Sequence, residues 1–158
     1  MRDDSVMALL FRRGRSDEPP GRELLRELLH HLDEIYPGRA TRPGSVTTPD
    51  EMARPHGAFL VGYEDGRPVA IGGVRRLDDG ACEIKRMYVV PDARSRGAGR
   101  ALLQALEDAA RELGYACVRL DAGPAQTHSK VLFASAAYVE IAPYNDNHIA
   151  DYWAEKPL

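Results

Sequence analysis

Apolar residues along this chain change their period several times, and each change marks an element. Val6–Arg12 opens on a short apolar run that predicts a first strand. Arg13 to Pro20 is a polar connection. From Gly21 to Tyr36, Leu24, Leu25, Leu28, Leu29, Leu32 and Ile35 recur at three- and four-residue spacing, the stripe of an amphipathic helix. Pro37-Gly38 stops it. Arg39 to Gly57 is rich in Thr, Pro and Gly with little periodicity. It predicts a long loop with one helical turn after Thr48-Pro49-Asp50.

Three strands then follow in a meander. Ala58–Tyr63 runs into the turn Glu64-Asp65-Gly66-Arg67, Val69–Leu77 into the turn Asp78-Asp79-Gly80, and Ala81–Val90 stops at Pro91. Both Asp-Gly pairs tolerate the positive φ that hairpin turns require. Gly97–Leu113 is the clearest helix, with Leu102, Leu103, Leu106, Ala109, Ala110 and Leu113 on one face and Gly114 suited to a left-handed stop. Ala116–Asp121 predicts a strand, Gln126–Ala136 a helix, and Tyr138–Ala142 and Ile149–Lys156 two closing strands. The succession points to an α/β (α+β) domain, a mixed sheet with helices on both faces.

Composition narrows the class. The 158 residues fit one domain, 1–158, and 44% hydrophobic with 28% charged residues is ordinary for a soluble globular protein. A formal net charge of −3 argues against a general nucleic-acid binder. Cys82 and Cys117 are too few for a disulfide framework and lack metal-type spacing. The histidines are scattered apart from His30-His31, so no metal site is expected. Arg2-Asp3-Asp4 ahead of Val6–Phe11 does not make a signal peptide, and no stretch reaches the ~20 apolar residues of a membrane span. A cytoplasmic location is the expectation.

Candidate chemistry concentrates in Arg94-Ser95-Arg96-Gly97-Ala98-Gly99-Arg100. Three arginines crowd the start of the strong helix, where the macrodipole is positive and cations are disfavoured. An anion there removes the conflict, because the free first-turn N–H groups point at it. Gly97 and Gly99 leave room for close approach, and the guanidinium groups close around phosphate. A glycine-containing loop with solvated arginines is the alternative. A Walker loop, Gly-x-x-x-x-Gly-Lys-Ser/Thr, is absent. A dinucleotide fingerprint needs a third glycine where Leu102 stands, although Asp121 follows at an acidic position.

Glu83-Ile84-Lys85-Arg86-Met87-Tyr88-Val89-Val90-Pro91, followed by Arg94-x-x-Gly97-x-Gly99 and Leu102-Leu103, resembles the central motif of the GCN5-related N-acetyltransferase (GNAT) family. The tail from Tyr138 through Tyr144-Asn145-Asp146-Asn147 to Trp153-x-Glu155-Lys156 is similar to that of small bacterial members. The resemblance implies a mostly antiparallel sheet of about six to seven strands, splayed at a cofactor cleft. It implies acetyl-CoA as cofactor, with the main chain of Met87, Tyr88 and Val89 along the pantetheine arm and amides from Arg96 to Arg100 on the pyrophosphate. An N–H near Val89 would bond the thioester oxygen.

Transfer to an amine needs a base and a proton for the departing thiolate. Glu83 lies where some members place a general base, and a salt bridge with Lys85, Arg86 or another basic neighbour is the competing reading. The family's thiolate acid is usually a Tyr in a Leu-Tyr pair, a few residues before Gly-Tyr/Phe. Here the stretch is Leu132-Phe133, then Ala137-Tyr138, so Phe133 meets the cofactor without a proton to give. Tyr138 and Tyr144 are nearby in sequence; Tyr138 is the candidate catalytic tyrosine, with packing the alternative for both. His128 and Ser129 open the same helix near the usual cofactor-touching Asn, or cap it. Transfer without a tyrosine acid, with the thiolate protonated through water, is the expectation.

The resemblance thus implies an N-acetyltransferase acting on a primary amine of a small molecule or peptide and allows a homodimer; by net charge and apolar run length, neither nucleic acid nor membrane is expected as partner. A non-catalytic acyl-CoA-binding module is the rival reading, and a nucleotide-dependent oxidoreductase the third. Candidate acceptor walls are Arg39–Gly57, the helix Gly21–Tyr36 and the Tyr144–His148 loop. Arg39, Arg42 and Arg54 could receive a carboxylate, or be solvated loop arginines.

Overall fold

The computed structural model describes residues 8–39, 46–77 and 80–158. The strands are β1 (Leu10–Arg13), β2 (Ala58–Glu64), β3 (Arg67–Arg76), β4 (Cys82–Val89), β5 (Cys117–Ala122), β6 (Val139–Glu140) and β7 (Tyr152–Pro157). They form one sheet in the order β1-β2-β3-β4-β5-β7-β6. Every neighbouring pair is antiparallel except β4 with β5. The helices are α1 (Gly21–Ile35), α2 (Ala98–Glu112) and α3 (Thr127–Ser135).

Local chemistry explains most boundaries. Asp65 and Gly66 have φ of 49° and 79°, the positive pair of a two-residue hairpin turn, and Glu64 faces Arg67 across it. Gly114 (φ 92°) ends α2, its N–H bonding the Arg111 carbonyl while Tyr115 N–H returns to Ala110. That pair of bonds satisfies carbonyls the last turn would otherwise leave open. Within the expected long loop, Thr48 caps a 3₁₀ turn, Pro49–Met52, reciprocally with Glu51. Residues 40–45, with Arg42 among them, lie outside the described set, as do Val6, Met7, Asp78 and Asp79.

Two expectations are corrected at the C-terminal end. The strand expected over Tyr138–Ala142 shrinks to Val139–Glu140, and the last strand begins at Tyr152 rather than Ile149. The Asn147 side chain accepts the Ile149 N–H at 3.1 Å, and Asp151 N–H goes to the Ala122 carbonyl at 3.0 Å. Residues 149–151 therefore form a bend instead of a ladder.

Successive strand residues point to opposite faces. A Cβ on Gly72 would strike Leu106 of α2, and one on Gly73 would strike Met52 of the 3₁₀ turn. Hence α2 covers one face of the sheet while the 3₁₀ turn shares the other with α1. Leu102, Leu103 and Leu106 are at most 1% exposed, each contributing about 2 kcal/mol of transfer free energy. Among the described residues no helix is long and apolar enough to cross a membrane.

Candidate active site

β4 and β5 pair only through Cys82 with Val118 and Glu83 with Arg119. The cause lies in β4. Lys85 pairs with Gly73 and Tyr88 with Ile71, so three steps along β4 match two along β3. The extra residue is absorbed at Arg86, whose φ is 61°. A bulge bends and twists its strand, and here the pairing of β4 with β5 stops at Glu83, just short of it. A cavity of about 450 Å³ fills the gap. Ile84 to Met87 line it from β4, Leu120 and Asp121 from β5, Leu28, Leu29, Leu32 and Tyr36 from α1 and its end, Phe133 from α3, and Asn147 to Ile149 from the following loop.

At the far end of β4 the chain turns into α2. Gly97 precedes the helix with φ 84°, no side chain caps the first turn, and no acidic residue lies in it. Ser95 is also held at positive φ, 68°. A Cβ on Gly99 would meet Leu132 at an ordinary 3.5 Å, so packing within the chain does not demand glycine there. Three guanidinium groups surround this turn. Arg94 donates to the Val89 carbonyl at 2.8 Å and lies over the Tyr88 ring. Arg96 approaches Glu64 at 3.3 Å, and Arg100 donates to the Ser135 hydroxyl at 2.5 Å. Uncapped amides ringed by guanidinium groups fit a diphosphate.

Behind the cavity lies a buried polar cluster. Glu83 has no exposed surface and accepts from Arg75 Nε at 2.7 Å, Tyr144 Oη at 2.5 Å and Asn145 Nδ2 at 3.0 Å. Lys85 lies 3.7 Å from it and 3.3 Å from Asp121. The second Asn145 amide hydrogen serves Asp121 at 2.7 Å, and its oxygen accepts from Trp153 Nε1 at 2.8 Å. Because indole can only donate, that bond fixes which way the amide points. Burial, with the adjacent Glu83 charge, raises the Tyr144 phenol well above its ordinary range.

The expected residues divide. Met87 and Phe133 reach the cavity wall. Glu83 sits behind it, in the salt bridges that formed its alternative reading. The Tyr88 side chain turns toward α1, donating to Glu27 at 3.3 Å. His128 is exposed at the start of α3, whereas Ser129 lines the cavity. Tyr138 is elsewhere: its hydroxyl donates to buried Glu107 of α2 at 2.7 Å, and Lys156 completes that cluster at 2.9 Å. The structure does not bring Tyr138 to Glu83 or to the cleft. Arg39, paired with Asp33 at 2.9 Å, reaches the cavity, while Arg54 is exposed.

Arg86 and Asp121 carry no site role from sequence, whereas Tyr36 and Asn145 belong to the expected wall segments Gly21–Tyr36 and Tyr144–His148 without a role of their own. Arg86 interrupts an apolar run, a visible signal. Tyr36 joins the end of α1 to the β5–α3 turn, accepting from Ala125 N–H at 3.1 Å and donating to Gln126 at 3.2 Å.

The acetyltransferase (GNAT) family model matches residues 21–138, which spans both the splayed strand and the uncapped turn. The chain belongs to that family of acetyltransferases. An IAA acetyltransferase from Azospirillum brasilense is 31% identical over 140 residues, covering 86% of this chain and 89% of the relative. Two solved structures share the fold. One is PaiA N-acetyltransferase from Thermoplasma acidophilum in complex with coenzyme A, with TM-score 0.69 and 14% identity over 96% of this chain and all of that one (100%). The other is a GNAT acetyltransferase from Elizabethkingia anophelis with acetyl-CoA bound, with TM-score 0.66 and 16% identity over 99% and 100% of the two chains.

Proposed function

We propose that this protein transfers an acetyl group from acetyl-CoA to a primary amine of a small molecule or peptide. The observation that carries the reading is the course of β4. It leaves β5 after Glu83, carries the Arg86 bulge along the cavity, and runs on to the uncapped start of α2 with its arginines.

In this reading the amides of Ala98, Gly99 and Arg100, with Arg94, Arg96 and Arg100, hold the pyrophosphate. The main chain of Met87, Tyr88 and Val89 runs along the pantetheine arm, and the Val89 N–H is offered to the carbonyl oxygen. Acetyl-CoA supplies an activated thioester: the C–N bond forms at its carbonyl carbon as the C–S bond breaks. The residues of this chain arrange the protons. Asp121 and Lys85 face the cavity, so the proton lost by the amine leaves along that edge, through water where reach is short. Glu83 acts one step back, through Asn145, as a positioning residue. The thiolate is protonated through water, since Phe133 lines the wall without an acidic hydrogen.

The test is amine-dependent release of free thiol from acetyl-CoA across a primary-amine panel, with the acetylated product confirmed by mass spectrometry. Phe133→Tyr, assayed beside the wild type, is expected to raise kcat by placing an acid on the wall. Coenzyme A binding without amine-dependent thiol release would favour the non-catalytic module instead.

A further inference from the structure

The cationic groups at the cavity wall (Lys85, Arg39 and Arg86) and behind it (Arg75) are not equivalent. Lys85 is committed to Asp121 and Glu83, at 3.3 and 3.7 Å. Arg39 is held by Asp33 at 2.9 Å. Arg75 lies between Glu83 and Glu51, at 2.7 and 2.8 Å. Arg86 alone of these four has no carboxylate within ion-pair distance among the described residues, yet it lines the cavity and is partly buried.

Its backbone is unusual as well. A non-glycine residue at positive φ is strained, and such strain persists where the surroundings over-determine it. At Arg86 the left-handed turn of the bulge places a guanidinium at the cavity instead of continuing the strand's alternation. Burial and the neighbouring charges of Arg39 and Arg75 lower its pKa, with Asp121 opposing them only in part. A guanidinium so placed is short of negative charge, and its planar fork matches a carboxylate. Leu28, Leu29 and Leu32 supply an apolar wall on the α1 side.

Resting on the transferase reading above, we propose that the acceptor is an amine that also carries a carboxylate, bound by Arg86, with an apolar body against the α1 leucines. This moves acid recognition from the loop arginines to the bulge of β4. The same distortion that opens the cleft then also presents the group that selects what enters it.

The experiment titrates the protein calorimetrically with matched pairs, leucine with leucinamide and 4-aminobutyrate with its amide, and repeats both titrations on Arg86→Gln. Loss of one charge-assisted pair predicts roughly a ten- to hundredfold preference for acid over amide, for at least one pair, that collapses in the variant. Arg86→Asn, which tolerates positive φ, guards against misfolding and should give the same collapse. Equal binding of acid and amide, no binding of either acid, or a preference that survives both substitutions would overturn the proposal. Thiol release on the same compounds separates the two readings. An Arg86-dependent acid preference without turnover contradicts transfer alone, and turnover indifferent to the carboxylate contradicts this inference alone.

Discussion

The phenol of Tyr144 donates to the carboxylate of Glu83 at 2.5 Å, across 61 residues of chain. A hydroxyl has one hydrogen, and this one is spent on Glu83. The bond makes the loop after β6 a structural partner of β4, and it binds the carboxylate that sequence reading placed nearest to catalysis. With Arg75 and Asn145 completing the set, Glu83 holds the cluster behind the cleft in register.

Glu83→Gln is therefore expected to cost stability and activity together. Removing one partner of a buried ion pair typically costs about 3 kcal/mol, so the melting temperature should fall clearly. kcat should fall as Asn145 and Asp121 lose their fixed geometry, while the acidic limb of the kcat–pH profile remains. Loss of that limb in the variant would instead make Glu83 the base.

Tyr138→Phe separates the second tyrosine from the chemistry. Its hydroxyl bonds Glu107, a residue 1% exposed, and the deletion leaves that carboxylate with Lys156 alone. The expected cost is about 1–2 kcal/mol of stability with kcat unchanged. A large drop in kcat at temperatures where the variant stays folded would return Tyr138 to the catalytic set.

Alkaline stability follows from groups that the fold holds protonated. Burial, with a smaller effect from Cys117, pushes the Cys82 thiol from 9.0 up to about 12. Burial with the Glu107 and Glu83 bonds raises Tyr138 and Tyr144 from 10.0. A raised folded-state pKa gives stability that is complete below the unfolded value and lost as pH climbs through the folded one. The melting temperature should thus decline from pH 9.0 toward about 12, with the thiol contributing first. Cys82→Ala should flatten the early part of that decline, measured as melting temperature against pH. An unchanged slope would remove the thiol from the account.

Much of the frame was legible because periodicity and turn chemistry are local. The leucine stripes of α1 and α2, the Asp65-Gly66 hairpin, the Thr48 cap and the Gly114 stop each declare themselves within a few residues. The Arg94–Arg100 turn was legible for the same reason: its charges conflict with the helix that follows. The polar clusters were not. Asn145 meets Glu83 across 62 residues and Asp121 across 24, and Glu107 meets Lys156 across 49. Glu107 therefore looks like one more polar position on an amphipathic helix until its partner is in place. The bulge was implied by resemblance, but not its residue, because Arg86 lacks the glycine that usually advertises positive φ. Tyr138 shows the limit of sequence proximity: it follows Phe133, and the rings lie 5.8 Å apart, yet its hydroxyl bonds Glu107 of α2.

The central claim is that the first turn of α2 and its arginines hold the diphosphate of coenzyme A. Calorimetric titration of the protein with coenzyme A, beside pantetheine, which lacks the diphosphate, tests it most directly. Coenzyme A should bind far more tightly than pantetheine. Combined Arg94→Gln and Arg100→Gln substitution should weaken coenzyme A by roughly tenfold or more while leaving pantetheine little changed. Equal binding of the two compounds, or coenzyme A binding indifferent to those arginines, would contradict it.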